Sequence, residues 1–592
     1  MGEQPTSLID HLLRHARERP TDVALREKHL GRWRETTWAE YAHQVARAAA
    51  GLQALGVGQG DRVAIHGENR LEWVVCDLAV QALGAVAVGI YPTSPAAEVE
   101  YLLGHSEAKV NVCEDEEQLD KALAVREHVP GLQHLVVMDP RGVKASGVLR
   151  WAEDVMAAEP IDLEAAARHI ASDQTAILVY TSGTTGPPKG AMLSHANLVF
   201  AGNASGETFA VGPQDSALSY LPLCHVAERL FSVIDAVTAG YTVHFGAGPQ
   251  TFAQDLREVQ PTVFLGVPRV WEKMMATVEV RMNDASRVKR WAYRAALNRG
   301  RRLAKARMHG SLGAGAKLQA AALDAIALRA LREKLGLLRV RAAISGAAPI
   351  APQVLEYFWA LGVPVREGYG MTENTACCTY TPEDDVRIGK VGPAIPGVEV
   401  RIAPDGEVLT RSGGVFQGYF RNPEATEQAI DADGWLHTGD VGVLDEDGFL
   451  KITDRKKDIL ITAGGKNIAP SEIENALKVS PYVREAIVLG DGRKYLSALI
   501  GIEADTVGDW AARRNIGFTT YADLAGRPEV RELIQAWVDE VNQDLAQVEQ
   551  VKRFTLLTKE LDEEDGELTA TQKVKRSAIA REFARDVEAL YA

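Results

Sequence analysis

The chain has few cysteines, no uninterrupted apolar run of membrane length and no excess of positive charge. Its five cysteines in 592 residues are odd in number and lack CxxC or Cys/His spacing, which argues against a disulfide scaffold and a zinc site. The most apolar stretch, residues 73–91, is interrupted by Asp77 and Gln81, whereas a membrane span needs about 20 nearly continuous apolar residues. We therefore expect a buried helix and a strand here.

The balance of charge is acidic. The 65 basic and 80 acidic side chains give a formal net charge of −15, which argues against a general attraction to nucleic acid. The opening residues, MGEQPTS, show neither a basic segment nor an apolar one, so no secretory signal is expected. Together with the scarcity of cysteine, this predicts a cytoplasmic protein.

Strand-like and helical patterns alternate along the chain, which predicts βαβ units, an α/β fold and parallel or mixed sheets. A length of 592 residues exceeds what one hydrophobic core usually supports, so more than one domain is expected. Glycine-rich segments after residue 390 predict a β-rich subdomain, and the last 130 or so residues return to α+β patterning.

A basic segment separates the two α/β series. Residues 281–310 contain ten Lys or Arg and one Asp among helix-favouring residues, which predicts a long helical insertion. Two interpretations stay open: a solvated helix face, or a patch that contacts a partner or an anionic membrane surface.

The segment VYTSGTTGPPKGAMLSH, residues 179–195, is rich in glycine and hydroxyl side chains and carries Lys189. Glycines let the backbone approach a ligand, and hydroxyl, amide and ammonium donors are the groups that bind a polyphosphate. Two prolines separate Lys189 from the preceding glycine, which disfavours an ordinary Walker A loop. On composition alone, a flexible turn remains an alternative.

Seven segments together resemble one family. They are YTSGTTGPPKG, LPLCHVAER, ISGAAPI, EGYGMTE, HTGDVG, DRKKDILITAGGKNIAP and LTATQKVKR, and they span nearly the whole chain in the family's order. This set resembles the AMP-forming superfamily of acyl-CoA synthetases, firefly luciferase and peptide synthetases. The resemblance implies a large N-terminal adenylation domain over 1–453 with a basic helical insertion about 275–335, a hinge over 454–458, and a mobile C-terminal lid domain over 459–592.

The resemblance also implies a site for ATP and Mg²⁺. The phosphate loop would be formed by Thr181, Ser182, Gly183, Thr184, Thr185, Gly186 and Lys189. Thr181 and Glu373 would hold Mg²⁺, which takes oxygen ligands, and Thr372 would contact the α-phosphate. The adenine would lie against Gly346, Ala347, Ala348, Glu367, Gly368, Tyr369 and Gly370. Asp440 and Arg455 would bind the ribose.

The remaining implied roles fall to the lid, the hinge and one histidine of the adenylation domain. Lys573 aligns with the lysine that bridges the carboxylate and the α-phosphate, and His225 with a histidine near the carboxylate. Lys457 would be the pivot about which the lid turns to present Gly464 and Gly465 to CoA. Taken singly, Glu373 also fits a helix N-terminal charge and Lys573 a surface lysine; only the ordered set favours the site.

Within the superfamily, the motifs LPLCHVAER and LTATQKVKR resemble most those of long-chain fatty acyl-CoA synthetases. It implies a ligase that converts a fatty acid and ATP to acyl-AMP and pyrophosphate, and then transfers the acyl group to CoA. Alternatives are a CoA ligase for another hydrophobic acid, an acyl-AMP ligase that loads a carrier protein, a luciferase-like oxidase and a non-catalytic lipid-binding protein. Partners left open are a second copy of the chain and the inner face of a membrane. Some family members place a tryptophan gate where this chain has Arg229.

Overall fold

The computed structural model describes residues 5–181, 186–308, 310, 313–562, 565–569 and 573–592, apart from the side chain of Asn283. Ser182, Gly183, Thr184 and Thr185 of the predicted phosphate loop lie outside the described residues. Among the described residues, no helix combines the length and apolarity needed to cross a bilayer.

The first part of the chain alternates strands and helices as the sequence predicted. Its elements are α1 (Leu8–Glu18), β1 (Val23–His29), β2 (Arg32–Thr37), α2 (Trp38–Ala54), β3 (Arg62–His66), α3 (Leu71–Ala82), β4 (Val86–Ile90), α4 (Ala96–Ser106), β5 (Ala108–Cys113), α5 (Glu116–Val125), β6 (His134–Val137), β7 (Leu149–Arg150), α6 (Leu163–Ala167), β8 (Thr175–Thr181), β9 (Lys189–Ser194) and α7 (His195–Phe209). Capping boxes start α2 at Thr37 and Glu40 and α7 at Ser194 and Asn197, which satisfies their free N–H groups.

The second part carries the helical insertion. Its elements are β10 (Ser216–Ser219), α8 (Val226–Arg229), α9 (Asp235–Ala239), β11 (Thr242–Phe245), α10 (Phe252–Val259), β12 (Val263–Gly266), α11 (Pro268–Asn283), α12 (Arg287–Met308), α13 (Ala314–Leu323), α14 (Arg329–Leu335), β13 (Ala342–Ser345), α15 (Pro352–Leu361), β14 (Val365–Tyr369) and β15 (Thr379–Tyr380). Four of these helices, α11 to α14, form the basic insertion and pack on α15 through α11 and α12.

A β-rich part and a smaller α+β part follow. The β-rich part contains β16 (Glu399–Ile402), β17 (Glu407–Arg411), β18 (Gly418–Tyr419), α16 (Pro423–Ala429), β19 (Leu436–Leu444) and β20 (Leu450–Arg455). The last part contains β21 (Leu460–Ile461), β22 (Asn467–Ile468), α17 (Pro470–Lys478), β23 (Val483–Leu489), β24 (Leu496–Ile502), α18 (Ala504–Ala512), α19 (Tyr521–Ala525), α20 (Pro528–Asp544), β25 (Val551–Leu556), α21 (Arg576–Glu582) and α22 (Ala584–Tyr591).

Two sheets contain the parallel strands at whose carboxyl ends the predicted site residues lie. One sheet has the order β18-β9-β8-β4-β3-β5-β6-β7, and a second has the order β12-β13-β14-β15. Strands β3 to β8 pair in parallel, as do β12, β13 and β14. Because ligands of open α/β sheets bind at the carboxyl ends of parallel strands, the loops after β8, β13 and β14 are the expected site.

The C-terminal part rests against the rest of the chain through polar contacts. Ser471, at the start of α17, donates from its backbone N–H and its hydroxyl to Asp454, both at 3.0 Å. Arg269 of α11 pairs with Glu503, and the Lys451 ammonium lies 2.9 Å from the Glu472 carboxylate. Such partly exposed ion pairs stabilise a contact by about 0–1 kcal/mol each. They therefore hold the C-terminal part only weakly in this position.

Candidate active site

The phosphate-loop residues within the described part lie at paired ends of β8 and β9. Thr181 pairs with Lys189 across the two strands, and the Thr181 hydroxyl donates to the Lys189 carbonyl at 3.4 Å. Gly186 has φ of +82°, a left-handed conformation that favours glycine. The Tyr101 hydroxyl holds the loop by donating to the Pro188 carbonyl at 2.9 Å. The loop is thereby anchored on both sides while Lys189 stays exposed.

Glu373 is a buried carboxylate in a turn of 3-10 helix, Thr372–Asn374, that follows β14. Its Oε1 accepts a hydrogen bond of 2.6 Å from the Tyr419 hydroxyl, and burial raises the pKa of the carboxyl group. The ring of the same tyrosine lies 5.1 Å from the Lys189 ammonium. Tyr419 therefore links the proposed metal-binding carboxylate to the phosphate-loop lysine.

The predicted adenine side is formed by the carboxyl ends of β13 and β14. Ser345 and Glu367 pair in parallel, so Gly346–Ala348 and Gly368–Gly370 emerge side by side. A Cβ on Gly370 would lie 2.0 Å from the Ala376 carbonyl oxygen, so only glycine fits. The Glu367 carboxylate accepts a hydrogen bond of 2.8 Å from the Gly389 N–H. Burial raises its pKa to about 8.

Asp440 and Arg455, the predicted ribose ligands, face each other across β19 and β20. The Arg455 Nε lies 3.6 Å from Asp440 Oδ1, and the Tyr369 hydroxyl donates to Oδ2 at 2.7 Å. The carboxylate is thus oriented on both oxygens. Burial raises the pKa of Asp440, while Tyr369, Arg455 and Lys573 oppose that effect.

Lys573 reaches this group from the C-terminal part. It lies in an antiparallel pairing, the Lys573 hairpin, in which Leu568 bridges Val574 and the Thr569 N–H donates to the Lys573 carbonyl at 2.8 Å. Part of the Lys573 residue is exposed. The protein atoms around its ammonium still desolvate it, and together with the charge of Arg455 they lower its pKa to about 8. The carboxylates of Asp440 and Glu373 oppose that shift. The ammonium therefore lies within the electrostatic field of the ribose and metal-binding candidates.

His225 lies near the same ammonium. It caps α8, and its Nδ1 accepts from the Ala227 N–H at 3.2 Å. Burial, and then the charge of Lys573, lowers the pKa of His225 to about 4. The imidazole is therefore neutral at pH 7.

The structure does not bring Gly464 and Gly465 into this cleft. They lie in the exposed turn between β21 and β22. The turn leads into α17, where Glu474 accepts a 2.6 Å hydrogen bond from Arg576. Arg576 follows Lys573 by three residues, so the exposed turn and the Lys573 hairpin belong to one packed unit. Lys457, the predicted hinge residue, has its pKa lowered by burial and by the charge of Arg455, an effect that Asp440 opposes.

At the position where the resemblance implied a possible gate, Arg229 is buried and ion-paired. Its side chain is 1% exposed, and its Nη2 lies 2.5 Å from Oδ1 of Asp77, which is fully buried. The guanidinium also lies 4.9 Å from the Trp73 ring centroid. Arg229 is therefore fixed in a buried ion pair on α3 and α8.

Tyr419 contacts two of the predicted site residues, and the sequence did not predict it. The segment around it, VFQGYF, gave only a β-strand signal, and a lone tyrosine in a strand indicates no ligand. Its partner Glu373 is 46 residues away in sequence, so nothing local to either residue shows the contact.

The chain belongs to the AMP-binding enzyme family. The AMP-binding enzyme model matches residues 12–420, and the model of the AMP-binding enzyme C-terminal domain matches residues 457–592. These matches confirm the family that the motifs predicted.

Relatives of known name resemble the chain over most of its length. The long-chain-fatty-acid–CoA ligase FadD15 of Mycobacterium tuberculosis is 37% identical, over 98% of this chain and 96% of that protein. The long-chain-fatty-acid–CoA ligase ACSBG2 of Xenopus laevis is 34% identical over 96% of this chain and 81% of its own length.

Solved structures share the fold. The adenylation domain of a carboxylate reductase from Mycobacterium chelonae has a TM-score of 0.76 at 24% identity, covering 100% of this chain and 92% of that one. The anthranilate CoA ligase AuaEII in complex with anthranoyl-AMP has a TM-score of 0.72 at 22% identity, covering 99% and 98%. The predicted α/β fold class is confirmed.

Proposed function

We propose that the chain is an AMP-forming long-chain fatty acid:CoA ligase. It joins a fatty acid to AMP with release of pyrophosphate, and then transfers the acyl group to the CoA thiol. Two observations support this: the charge of Lys573 interacts with the carboxylates of Asp440 and Glu373, and the chain is similar over nearly its full length to named long-chain-fatty-acid–CoA ligases.

In the proposed first step, the fatty acid carboxylate attacks the α-phosphorus of ATP, and the bond to pyrophosphate breaks. Asp440 and Arg455 hold the ribose, and Tyr369 lies against the adenine. Negative charge builds up between the carboxylate and the α-phosphate, where the Lys573 ammonium would neutralise it. Lys189 and the loop hydroxyls would hold the leaving pyrophosphate.

The residues present fit a Mg²⁺ ion bound together with the phosphates. Mg²⁺ is commonly held in proteins by one or two carboxylates plus substrate phosphate oxygens. Among the described residues, no group of three or more His, Cys, Asp or Glu could hold a metal, whereas Glu373 offers a single buried carboxylate. We propose that Glu373 and the Thr181 hydroxyl hold the ion, which supplies charge neutralisation at the phosphates.

In the second step, the lid would turn about Lys457 and bring Gly464 and Gly465 toward the acyl-AMP. The thiol sulfur then attacks the acyl carbon, the acyl–phosphate bond breaks and AMP leaves. The predicted boundaries, 1–453, 454–458 and 459–592, remain part of this proposal. So do contact with a membrane and a second copy of the chain. The membrane proposal is supported by the exposed Val288 and Trp291 among the basic residues of α12.

Release of AMP tests the overall proposal. AMP is measured across a series of carboxylic acids from acetate to oleate, with and without CoA. Strong CoA-dependent release with the long acids is expected. Release confined to short or aromatic acids would contradict the substrate class, and release with no requirement for a thiol would contradict the CoA ligase activity.

The pH dependence of the first step should follow Lys573. Because its pKa is about 8, the charged form that neutralises the transition state is lost as the pH rises through 8. We expect kcat/KM for ATP in acyl-hydroxamate formation to fall about tenfold between pH 7 and pH 9. In Lys573→Arg, whose guanidinium stays charged, the rate should be lower but the falling limb should disappear. A limb that persists in Lys573→Arg would assign the titration to another group.

The hinge proposal predicts an effect on the second step alone. Lys457→Pro fixes one backbone dihedral angle and should slow thioester formation from supplied acyl-AMP by about tenfold or more. Adenylation should change much less, because the cleft is already assembled in the present arrangement. Lys457→Ala is the matched control, since it removes the side chain and leaves the backbone free. Equal effects of proline and alanine would refute a pivot at this residue.

A further inference from the structure

A second cavity lies away from the nucleotide cleft. It has a volume of about 640 Å³ and is bounded by the end of α7, the residues that precede β13 and β14, and the residues that follow β15. The predicted adenine ligands follow β13 and β14 at their carboxyl ends, whereas Arg341 and Pro364 of this cavity precede the same strands. The cavity therefore lies at the amino ends of these strands, opposite the end that carries the predicted adenine ligands.

Arg366, on β14, lines this cavity and has no counter-ion in the part of the chain that the structure describes. The residue is 6% exposed, and its Nε is sealed from water without a hydrogen-bond partner. Among the described residues, no carboxylate forms an ion pair with it. Its guanidinium lies 4.9 Å from the ring centroid of Tyr380, whose own buried hydroxyl also lacks a partner.

The other charged groups of the cavity do not neutralise Arg366. Arg341 is occupied by Asp215, with its Nε 2.9 Å from Oδ1. The Arg307 guanidinium lies 3.9 Å from Glu383, and both side chains are largely exposed. Glu207 is exposed at the rim. A buried guanidinium stays charged at ordinary pH and is unfavourable without an anion or hydrogen-bond acceptors.

We propose that this cavity is a second ligand site, in which Arg366 binds the phosphate or carboxylate group of a small molecule. Guanidinium groups bind such oxyanions through two parallel hydrogen bonds, and the aromatic walls of Phe209 and Tyr380 suit an organic body attached to the anion. The volume is within the range of small-molecule sites. This inference stands apart from the proposed ligase activity.

Equilibrium dialysis with radiolabelled inorganic phosphate tests the site. The protein is saturated with AMP, so that the α-phosphate position of the nucleotide cleft is filled. We expect Arg366→Met to weaken phosphate binding at least tenfold, because it keeps the side-chain length and removes the charge. Arg366→Lys keeps the charge and most of the packing, so it should bind phosphate with intermediate affinity. That result would show that the loss of binding in Arg366→Met does not come from misfolding.

Lys189→Ala is the matched control, because it removes the ammonium of the proposed phosphate loop. Phosphate binding that survives Lys189→Ala and is lost in Arg366→Met supports the second site. Binding that is lost in Lys189→Ala and unchanged in Arg366→Met overturns it, as does the absence of bound phosphate in the AMP-saturated wild type. Acetate is then added as a competitor. Displacement points to a carboxylate ligand and retention of the label to a phosphate ligand, and either result supports an oxyanion site.

Discussion

Replacing Lys573 with alanine is expected to slow acyl-adenylate formation by about 10²- to 10³-fold, the usual effect of removing one preorganised donor to a developing negative charge. Lys573 is the charged group that the C-terminal part brings to Asp440 and Glu373. In the proposed mechanism, the second step begins after the α-phosphate has been acylated and the lid has turned. Thioester formation from supplied acyl-AMP should therefore be nearly unaffected.

The two half-reactions are measured separately, as acyl-hydroxamate formation and as thioester formation. Lys552→Ala is the matched control, because Lys552 lies in the same C-terminal part, is exposed and bonds to Gln550 at 2.6 Å. It should leave both rates unchanged. An equal loss in both assays for Lys573→Ala would reject the assigned role.

Replacing Asp77 with asparagine is expected to lower the free energy of unfolding by about 3–5 kcal/mol, the usual effect of breaking a buried ion pair by removing one partner. Asp77 is 0% exposed and Arg229 is 1% exposed. Asp77 also accepts from the Gln81 amide at 3.1 Å. Without the carboxylate, the Arg229 charge has no compensation in the core. The measurement is urea denaturation followed by tryptophan fluorescence.

Two further variants separate the loss of charge pairing from other effects. The double replacement Asp77→Leu with Arg229→Met removes both charges and should recover most of the stability. Glu35→Gln breaks the exposed pair with Arg26 and should cost less than about 1 kcal/mol. If Asp77→Asn instead changed the preferred acyl chain length at unaltered stability, Arg229 would be a gate and not a structural cation.

Contiguous motifs made much of the site predictable. Gly370 is required by the close approach of the Ala376 carbonyl, and it stands within a motif that the sequence shows directly. The alternation of strands and helices predicted the α/β class, because periodicity reflects which faces are buried. A phosphate loop could be predicted because its candidate donors are adjacent in sequence, and it stays a prediction.

Contacts between distant residues were not predictable. Asp77 and Arg229 are 152 residues apart, and neither has a local pattern that selects the other. Arg366 was unpredictable for a different reason: what distinguishes it is the lack of a counter-ion among the described residues, which only the packing reveals. Taken alone, Lys573 has the pattern of a surface lysine. Its catalytic role was therefore predicted from the family resemblance and not from a physical pattern.

The exposed turn at Gly464 and Gly465 has a consequence for the order of events. Since this turn and the Lys573 hairpin are tied together by Arg576 and Glu474, one rigid body cannot present both to the cleft at the same moment. On the proposed roles, CoA therefore meets the glycine turn only after the C-terminal part has moved Lys573 away from Asp440 and Glu373. On those roles, the anhydride forms under one orientation of the C-terminal part and meets its acceptor under another.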